Sequence, residues 1–408
     1  MSTHLAAVLK GKGQPFEIQS RPTPKPGPNE LLVAVKSVAF NPADTFMRSQ
    51  GFFITEYPTV TGFDMAGVVL EAGENVPTGD DKTSICFQPG TRIVAYSASA
   101  WRSCVPDYGA FQEKCLVPWQ HAVPLPDENM SWNHAATLPV SVQVPLSAWD
   151  QMSIPRTEEK TTNSSKPVEK NQVLLIWGAS SSVGTMGVQS ARLMCQDPDS
   201  PFAAVYATAG SDNLEYIRSL GADHVFDYKG PNVVDAMVSK AQDSGLVIRH
   251  CFLAVGNLSL CQDVLKAFAK PGEKKAKVVS APPLPEDVKD VEGVQVTFVM
   301  PSLVEEERLE QFRYWMGTWL GKKLAEGSIR PSPEPSVVGK GLEFVNEAVD
   351  RMAQGSDNEE GRVGFEVKPI GRSAAPHNFH CSLWTSFGFS SSRGNGQCAS
   401  GKKEKIRG

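Results

Sequence analysis

One uninterrupted stretch, Val173 to Cys195, does most to limit what this chain can fold into. It reads VLLIW, then GASSSVGTMG, then VQSARLMC. Val173, Leu174, Leu175, Ile176 and Trp177 are all apolar and mostly branched or aromatic, which fits a strand buried on both faces, as in a parallel sheet. Gly178 ends it. Beyond Ser182, the apolar residues Val183, Met186, Val188, Ala191 and Met194 recur at spacings near three and four, which predicts an amphipathic helix. A strand, a glycine-serine turn and a helix N-terminus together present unpaired N–H groups and the positive end of a helix dipole, where a phosphate binds well. The spacing Gly178-x-Ser180-x-x-x-Gly184-x-x-Gly187 departs from GxGxxG because Ser180 holds the second position. Taken alone, the motif is a weak nucleotide-binding signal.

Strands and helices alternate after it. Strands are expected at Ala203–Ala209, Asp223–Tyr228, Leu246–Val255 and Lys277–Ala281, with helices at Asn213–Leu220, Val233–Gln242 and Leu258–Ala269 between them. Such alternation gives a doubly wound parallel sheet whose ligands lie at the carboxyl ends of the strands. Pro282 to Gly293 reads as surface. Two helices, Val304–Ala325 and Leu342–Gln354, and a strand, Arg362–Val367, complete the ordered chain.

Before the stretch the pattern is different. Short strands, including Ala6–Leu9, Phe16–Gln19, Glu30–Ala39 and Met65–Glu71, are punctuated by glycine and proline at roughly ten-residue intervals, as in a small barrel-like β domain. From about Ser131 helical spacing takes over, interrupted by Pro139 and Pro145. The polar run 155–172 has no apolar periodicity and is expected to be a mobile loop.

A chain of 408 residues exceeds one ordinary core, so about two domains are expected. The net charge of -5 conceals a tail after Gly371 of +5 on a remainder of -10, which argues against nucleic acid as the partner of the main body. No apolar run is long enough to span a membrane, and Met1–Gly13 lacks the pattern of a signal peptide. The eight cysteines form neither a CxxC pair nor a disulfide framework, and a reducing, cytoplasmic setting is the expectation.

Several segments, in this order, carry a family likeness: the Asn41-Pro42-Ala43-Asp44 loop, YPTVTGFDMAGVV, PGTRIVAY, GAFQEKCLVP, AATLPVSVQ, GASSSVGTMGVQSA and LGADHVFDY. From about Ala6 to Ile370 the chain resembles the zinc-independent branch of the medium-chain dehydrogenase/reductase superfamily. Within that branch it is most similar to fungal quinone-oxidoreductase-like proteins and to the trans-acting enoyl reductases that partner polyketide synthases. The resemblance implies an α/β protein with a GroES-like β domain and a Rossmann nucleotide-binding domain inserted into it. The expected divisions are 1–132 and 296–371 for the GroES-like catalytic domain, 133–295 for the NADPH-binding domain and 372–408 for a disordered tail. A mispredicted gene end and a polybasic partner-binding tail are both open readings of that last segment.

Zinc-dependent relatives use an early Cys and a Gly-His-Glu, because zinc needs three N, S or O donors and an open position. Here Val38 to Asp44 contains no cysteine and the second motif reads Gly62-Phe63-Asp64, so a metal-free site is expected. His377, His380 and Cys381 have ligand chemistry but fall in the tail. Without a Lewis acid, reduction of an activated C=C or a quinone fits better than alcohol oxidation.

The resemblance places the pyrophosphate on Ser180, Ser181, Ser182, Val183 and Gly184. Gly210, Ser211 and Asn213 follow the second strand, where an NAD enzyme would place an acid on the ribose, and only Asp212 stands nearby. Together with Tyr228 and Lys229 this favours NADPH. Asn41, Ala43, Asp44, Thr45 and Phe46 belong to the loop near the nicotinamide, although Asp44 could equally be a helix cap. Val279 and Ser280 occupy a strand end that either contacts the nicotinamide or is simply buried. Tyr57 is the candidate proton donor, with a packed tyrosine as its alternative. Val144-Pro145 departs from the Thr-Ala common in the family, and the stripe Phe312, Trp315 and Trp319 reads as helix core. The expected partners are a small-molecule or acyl-thioester substrate and a polyketide synthase, with the chain a monomer or homodimer. The alternative function is an NADPH-binding sensor or scaffold.

Overall fold

The computed structural model describes residues 2–79, 85–126, 128–156, 168–270 and 272–354, together with the strand backbone at 364–366 and 380–383. The chain begins with the antiparallel hairpin of β1 (Thr3–Leu9) and β2 (Phe16–Pro22), followed by β3 (Glu30–Phe40) and α1 (Pro42–Gln50). Next come β4 (Asp64–Ala72), β5 (Arg92–Tyr96), β6 (Lys114–Pro118) and β7 (Ala122–Pro124). In their antiparallel sheet β3, β4, β5 and β7 are successive neighbours and β6 pairs with β3.

Helices α2 (Trp132–Ala136) and α3 (Leu138–Met152) lead to the second sheet. Pro139 sits in the first turn of α3, where its missing N–H costs nothing, while Pro145 is tolerated within a helix whose length is mostly buried. The second sheet and its helices run β8 (Gln172–Trp177), α4 (Ser182–Gln196), β9 (Phe202–Ala209), α5 (Leu214–Ser219), β10 (His224–Asp227) and α6 (Val233–Asp243). They continue with β11 (Val247–Leu253), α7 (Leu258–Lys266), β12 (Ala276–Ser280) and β13 (Val294–Phe298).

All six strands are parallel, in the order β10-β9-β8-β11-β12-β13. The winding reverses between β8 and β11, and a crevice opens beyond their carboxyl ends. Alternate residues of β8 enter two cores: Val173, Leu175 and Trp177 pack on one face, and Leu174 and Ile176 on the other, in a core continuous with that of the β domain. This is the two-sided burial its sequence predicts.

Two expectations need correction. Sequence reading ends the nucleotide-binding unit at residue 295, yet β13 pairs along its whole length with β12, so the return to the β domain follows Phe298. VQVTF is an edge strand with mostly half-exposed residues, and its weak apolar signal hid it. The tail expected to be disordered contains β15 (His380–Leu383), which pairs in parallel with Ser37–Phe40 of β3, beside β14 (Gly364–Glu366). That half of β3 runs past the register of β4 and β6 and presents an open edge that a further strand can satisfy. The rest of 372–408 lies outside the described residues.

The loop expected over 155–172 is only partly described. Residues 157–167 lie outside the described set, but both ends are tied down: Arg156 pairs with Asp150 at 2.9 Å, and Lys170 Nζ donates to the carbonyls of Cys195 and Asp197.

The chain then forms α8 (Glu305–Phe312), which runs through a π-helical segment, Arg313–Leu320, into α9 (Gly321–Ala325). Phe312, Trp315 and Trp319 are buried, and Phe312 stacks on His121 of the β domain at 3.9 Å. Helix α10 (Val345–Ala353) follows. No helix among the described residues is long and apolar enough to cross a membrane.

Candidate active site

The turn from β8 into α4 is built with no spare room. Gly178 has φ +79°, a left-handed conformation, and a Cβ there would lie 2.3 Å from the Val255 carbonyl oxygen. Its N–H donates to Thr208 Oγ1 at 2.9 Å. Ser181 is the N-cap of α4, and its Oγ accepts from the Gly184 N–H at 3.0 Å. A Cβ on Gly184 would meet the Gly178 carbonyl oxygen at 2.4 Å. Backbone is therefore packed on backbone, and the free N–H groups of the first turn of α4 face the crevice.

Two cavities meet at this turn. The larger, about 830 Å³, is lined by Gly178, Ser180, Ser181, Tyr228, Asn257 and Ser280, among others. The smaller, about 190 Å³, takes Ser182 and Val183 of the same turn and adds Asn41, Ala43 and Phe46 from the β domain. Pro282 and Pro283 line both, so the two form one cleft. A glycine-crowded helix N-terminus between a roomy chamber of mixed lining and a smaller apolar one suits a dinucleotide, with its pyrophosphate on the turn.

Other expected residues divide. Tyr228 follows β10 and lines the larger cavity, and Lys229 Nζ lies 5.8 Å from its ring centroid. A Cβ on Gly210 would reach the Tyr228 ring only at 3.8 Å, placing Gly210, Ser211 and Asn213 at the neighbouring strand end. The Ser280 hydroxyl is engaged by the Pro282 carbonyl at 2.8 Å, and Val279 is buried behind it. Thr45 turns its hydroxyl back to the Pro42 carbonyl.

Asp44 is brought beside the cleft without lining it. The Asn41 N–H donates to Asp44 Oδ2 at 2.7 Å, the helix-capping role. Asn41 Nδ2 donates to Asp64 Oδ2 at 3.1 Å, while Asp64 Oδ1 accepts from the Val140 N–H. Burial pushes the Asp44 carboxyl up to about 8, and the Asn41 N–H only partly opposes it. Asp64 is held well above the usual carboxylate range, also by burial. Tyr57 borders neither cavity: its hydroxyl is buried without a partner, 3.0 Å from where a Cβ on Gly51 would stand.

Residues that sequence reasoning missed fill the smaller cavity: Phe63, Tyr96, Trp101, Gln143 and Val144, with Phe298 to Pro301 beyond them. Tyr96 carried a usable signal, since it ends a strand in PGTRIVAY. Val144 lines the wall at the position where the chain departs from its family. Phe63 contributes an apolar ring to that wall, and no group of three His, Cys, Asp or Glu side chains able to hold a metal occurs among the described residues.

Comparison with known proteins agrees with this geometry. The alcohol dehydrogenase GroES-like domain model matches residues 27–127, which span β3 to β7. The chain is 37% identical to trans-enoyl reductase tndF of Aspergillus flavipes, over 86% of this chain and 96% of that protein. The chain belongs to the medium-chain dehydrogenase/reductase superfamily. A second medium-chain relative, trans-enoyl reductase tazE of Aspergillus terreus, is 39% identical over 74% of this chain and 93% of its own length. The medium-chain fold also matches the solved quinone oxidoreductase of Coxiella burnetii with a TM-score of 0.60 at 19% identity, covering 89% of this chain and 99% of that one. In this superfamily a nicotinamide cofactor occupies the Rossmann crevice, and the cleft described here fits one.

Proposed function

We propose that the chain is a cytoplasmic, NADPH-dependent reductase of activated carbon–carbon double bonds, acting on an acyl thioester presented by a polyketide synthase. One observation carries the reading: among the described residues, the apolar chamber at the α4 turn has no Asp, Glu, His, Lys or Arg in its lining. Such a wall suits a conjugated, apolar substrate, and it supplies hydrogen-bond donors in place of a charged acid or base. When bound, reduced nicotinamide supplies the hydride.

The chain's own residues supply position and polarity. Ser181 and Gly184 fix the N–H groups that would hold the pyrophosphate. Asn41, tied to Asp64, sets the β-domain wall against Ser182 and Val183. NADPH is preferred because no acid ends β9 and Tyr228 with Lys229 stands there instead. The synthase partner is proposed because both fungal relatives are named trans-enoyl reductases, and a reductase acting in trans meets a substrate carried by another protein. A panel of enones, quinones and enoyl thioesters, run with NADPH and with NADH, tests the proposal. NADPH-dependent loss of the double bond is expected; tight NADPH binding with no turnover of any acceptor overturns it in favour of a sensor or scaffold.

A further inference from the structure

We infer that the Tyr96 hydroxyl is the hydrogen-bond donor for the substrate's carbonyl oxygen, with the Trp101 indole beside it as a positioning residue. The inference rests on the proposed reduction of a conjugated carbonyl compound. Tyr96 is the last residue of β5 and lines the apolar chamber beside Asn41, Trp101, Gln143 and Ser182. Among the described residues lining that chamber it is the only titratable side chain.

Its ring is held from both parts of the catalytic domain. The centroids of Phe63, Phe312 and His121 lie 5.9, 4.8 and 6.0 Å away. Only 6% of the residue is exposed, and no described carbonyl or carboxylate accepts its hydroxyl hydrogen. Trp101 Nε1–H, buried in the same lining, is turned towards the Tyr96 oxygen and orients the phenol.

A hydroxyl donor lacking an acceptor in an apolar chamber, with an indole N–H turned towards its oxygen, marks the place of an oxygen that arrives with the substrate. Burial pushes the Tyr96 phenol far above its usual range, with Asp64 and Asp44 adding to the effect, so it remains a donor at every working pH.

The chemistry needs no further acid. As a C–H bond forms at the β carbon, a C–H bond of the reduced nicotinamide would break and that ring would be oxidised, while the C=C electrons move to give an enolate oxygen. Tyr96 stabilises that charge and keeps its own proton. Cα then takes a proton from water, and the hydroxide left behind is neutralised by the solvent. Donors aimed at developing charge contribute about 10²–10³ in rate.

Tyr96→Phe keeps the ring contacts and removes the donor. Octanoyl-N-acetylcysteamine and octyl-N-acetylcysteamine differ only by the thioester carbonyl, and their binding can be followed by tryptophan fluorescence without cofactor. Wild type should bind the thioester about tenfold more tightly than the thioether, and Tyr96→Phe should bind the two about equally. Trp101→Phe should lower the preference about threefold, which provides a second test should the first variant fold poorly. In turnover, Tyr96→Phe should lose about 100-fold in kcat with unchanged NADPH affinity. Wild-type preference and kcat retained in Tyr96→Phe would overturn the assignment and leave the proposed function standing. A wild-type protein that binds neither probe and turns over no acceptor would overturn both.

Discussion

Replacing Gly184 by alanine probes the closest backbone approach in the cleft. The added Cβ would lie 2.4 Å from the Gly178 carbonyl oxygen, 2.7 Å from Ser181 Oγ and 2.8 Å from Ala179 Cα, whereas ordinary contact begins near 3.4 Å. The first turn of α4 must therefore retreat by about 1 Å from the turn it caps, at a cost of about 1–3 kcal/mol in overpacking. Phosphate bound to that turn would lose one charge-assisted hydrogen bond, worth about 1.5–3 kcal/mol. A 10- to 100-fold weaker NADPH dissociation constant is the expected result, on the order of 1.4 kcal/mol per decade. Fluorescence titration of NADPH, alongside a thermal melt, measures both effects. Gly210→Ala is the control, because its nearest neighbours are Tyr228 ring and hydroxyl atoms at 3.8 and 3.9 Å, and its affinity should change less than about twofold. Gly184→Ala binding NADPH within about threefold of wild type would refute the placement of the phosphate.

Other changes separate structural from chemical roles. The folded-state pKa of Asp44 is raised to about 8 from an ordinary 3.8, so the folded protein holds a proton that the unfolded chain releases. Its stabilising effect is complete below about pH 4 and is lost as pH rises towards 8. Asp44→Asn can still accept from the Asn41 N–H, so its advantage in melting temperature over wild type should widen from pH 5 to pH 8, by up to about 1.4 kcal/mol per pH unit. A constant difference would reject the buried-carboxyl account. Tyr57→Phe removes a buried hydroxyl with no partner, so kcat should change by less than about twofold and stability should hold or rise by up to about 1 kcal/mol. A hundredfold loss of kcat would restore Tyr57 as the proton donor.

What was legible in the sequence was whatever depends on local periodicity. VLLIW followed by helical spacing predicted β8 and α4 within a residue or two, because a doubly buried strand and an amphipathic helix write different patterns. Gly178 and Gly184 were readable as turn and close-approach positions. Asp44 carried two readings, since the same carboxylate can cap α1 or face a ligand, and only the chain's path past Asn41 assigns it to the cap. The apolar chamber was largely illegible. Its wall joins residues as distant as Phe63, Trp101, Val144 and Phe298, brought together by packing of the two sheets around α3. Trp101 looks like an ordinary surface aromatic until the chain places it beside Tyr96, and β13 was overlooked because an edge strand has little apolar alternation to show.

The most direct test of the central claim is the fate of label in a single turnover. With NADPH deuterated at the nicotinamide C4, an enoyl thioester and ordinary water, the account predicts one deuterium at the β carbon and a solvent hydrogen at the α carbon. Oxidation of NADPH with no deuterium in the product, or deuterium delivered to the carbonyl carbon, would contradict it.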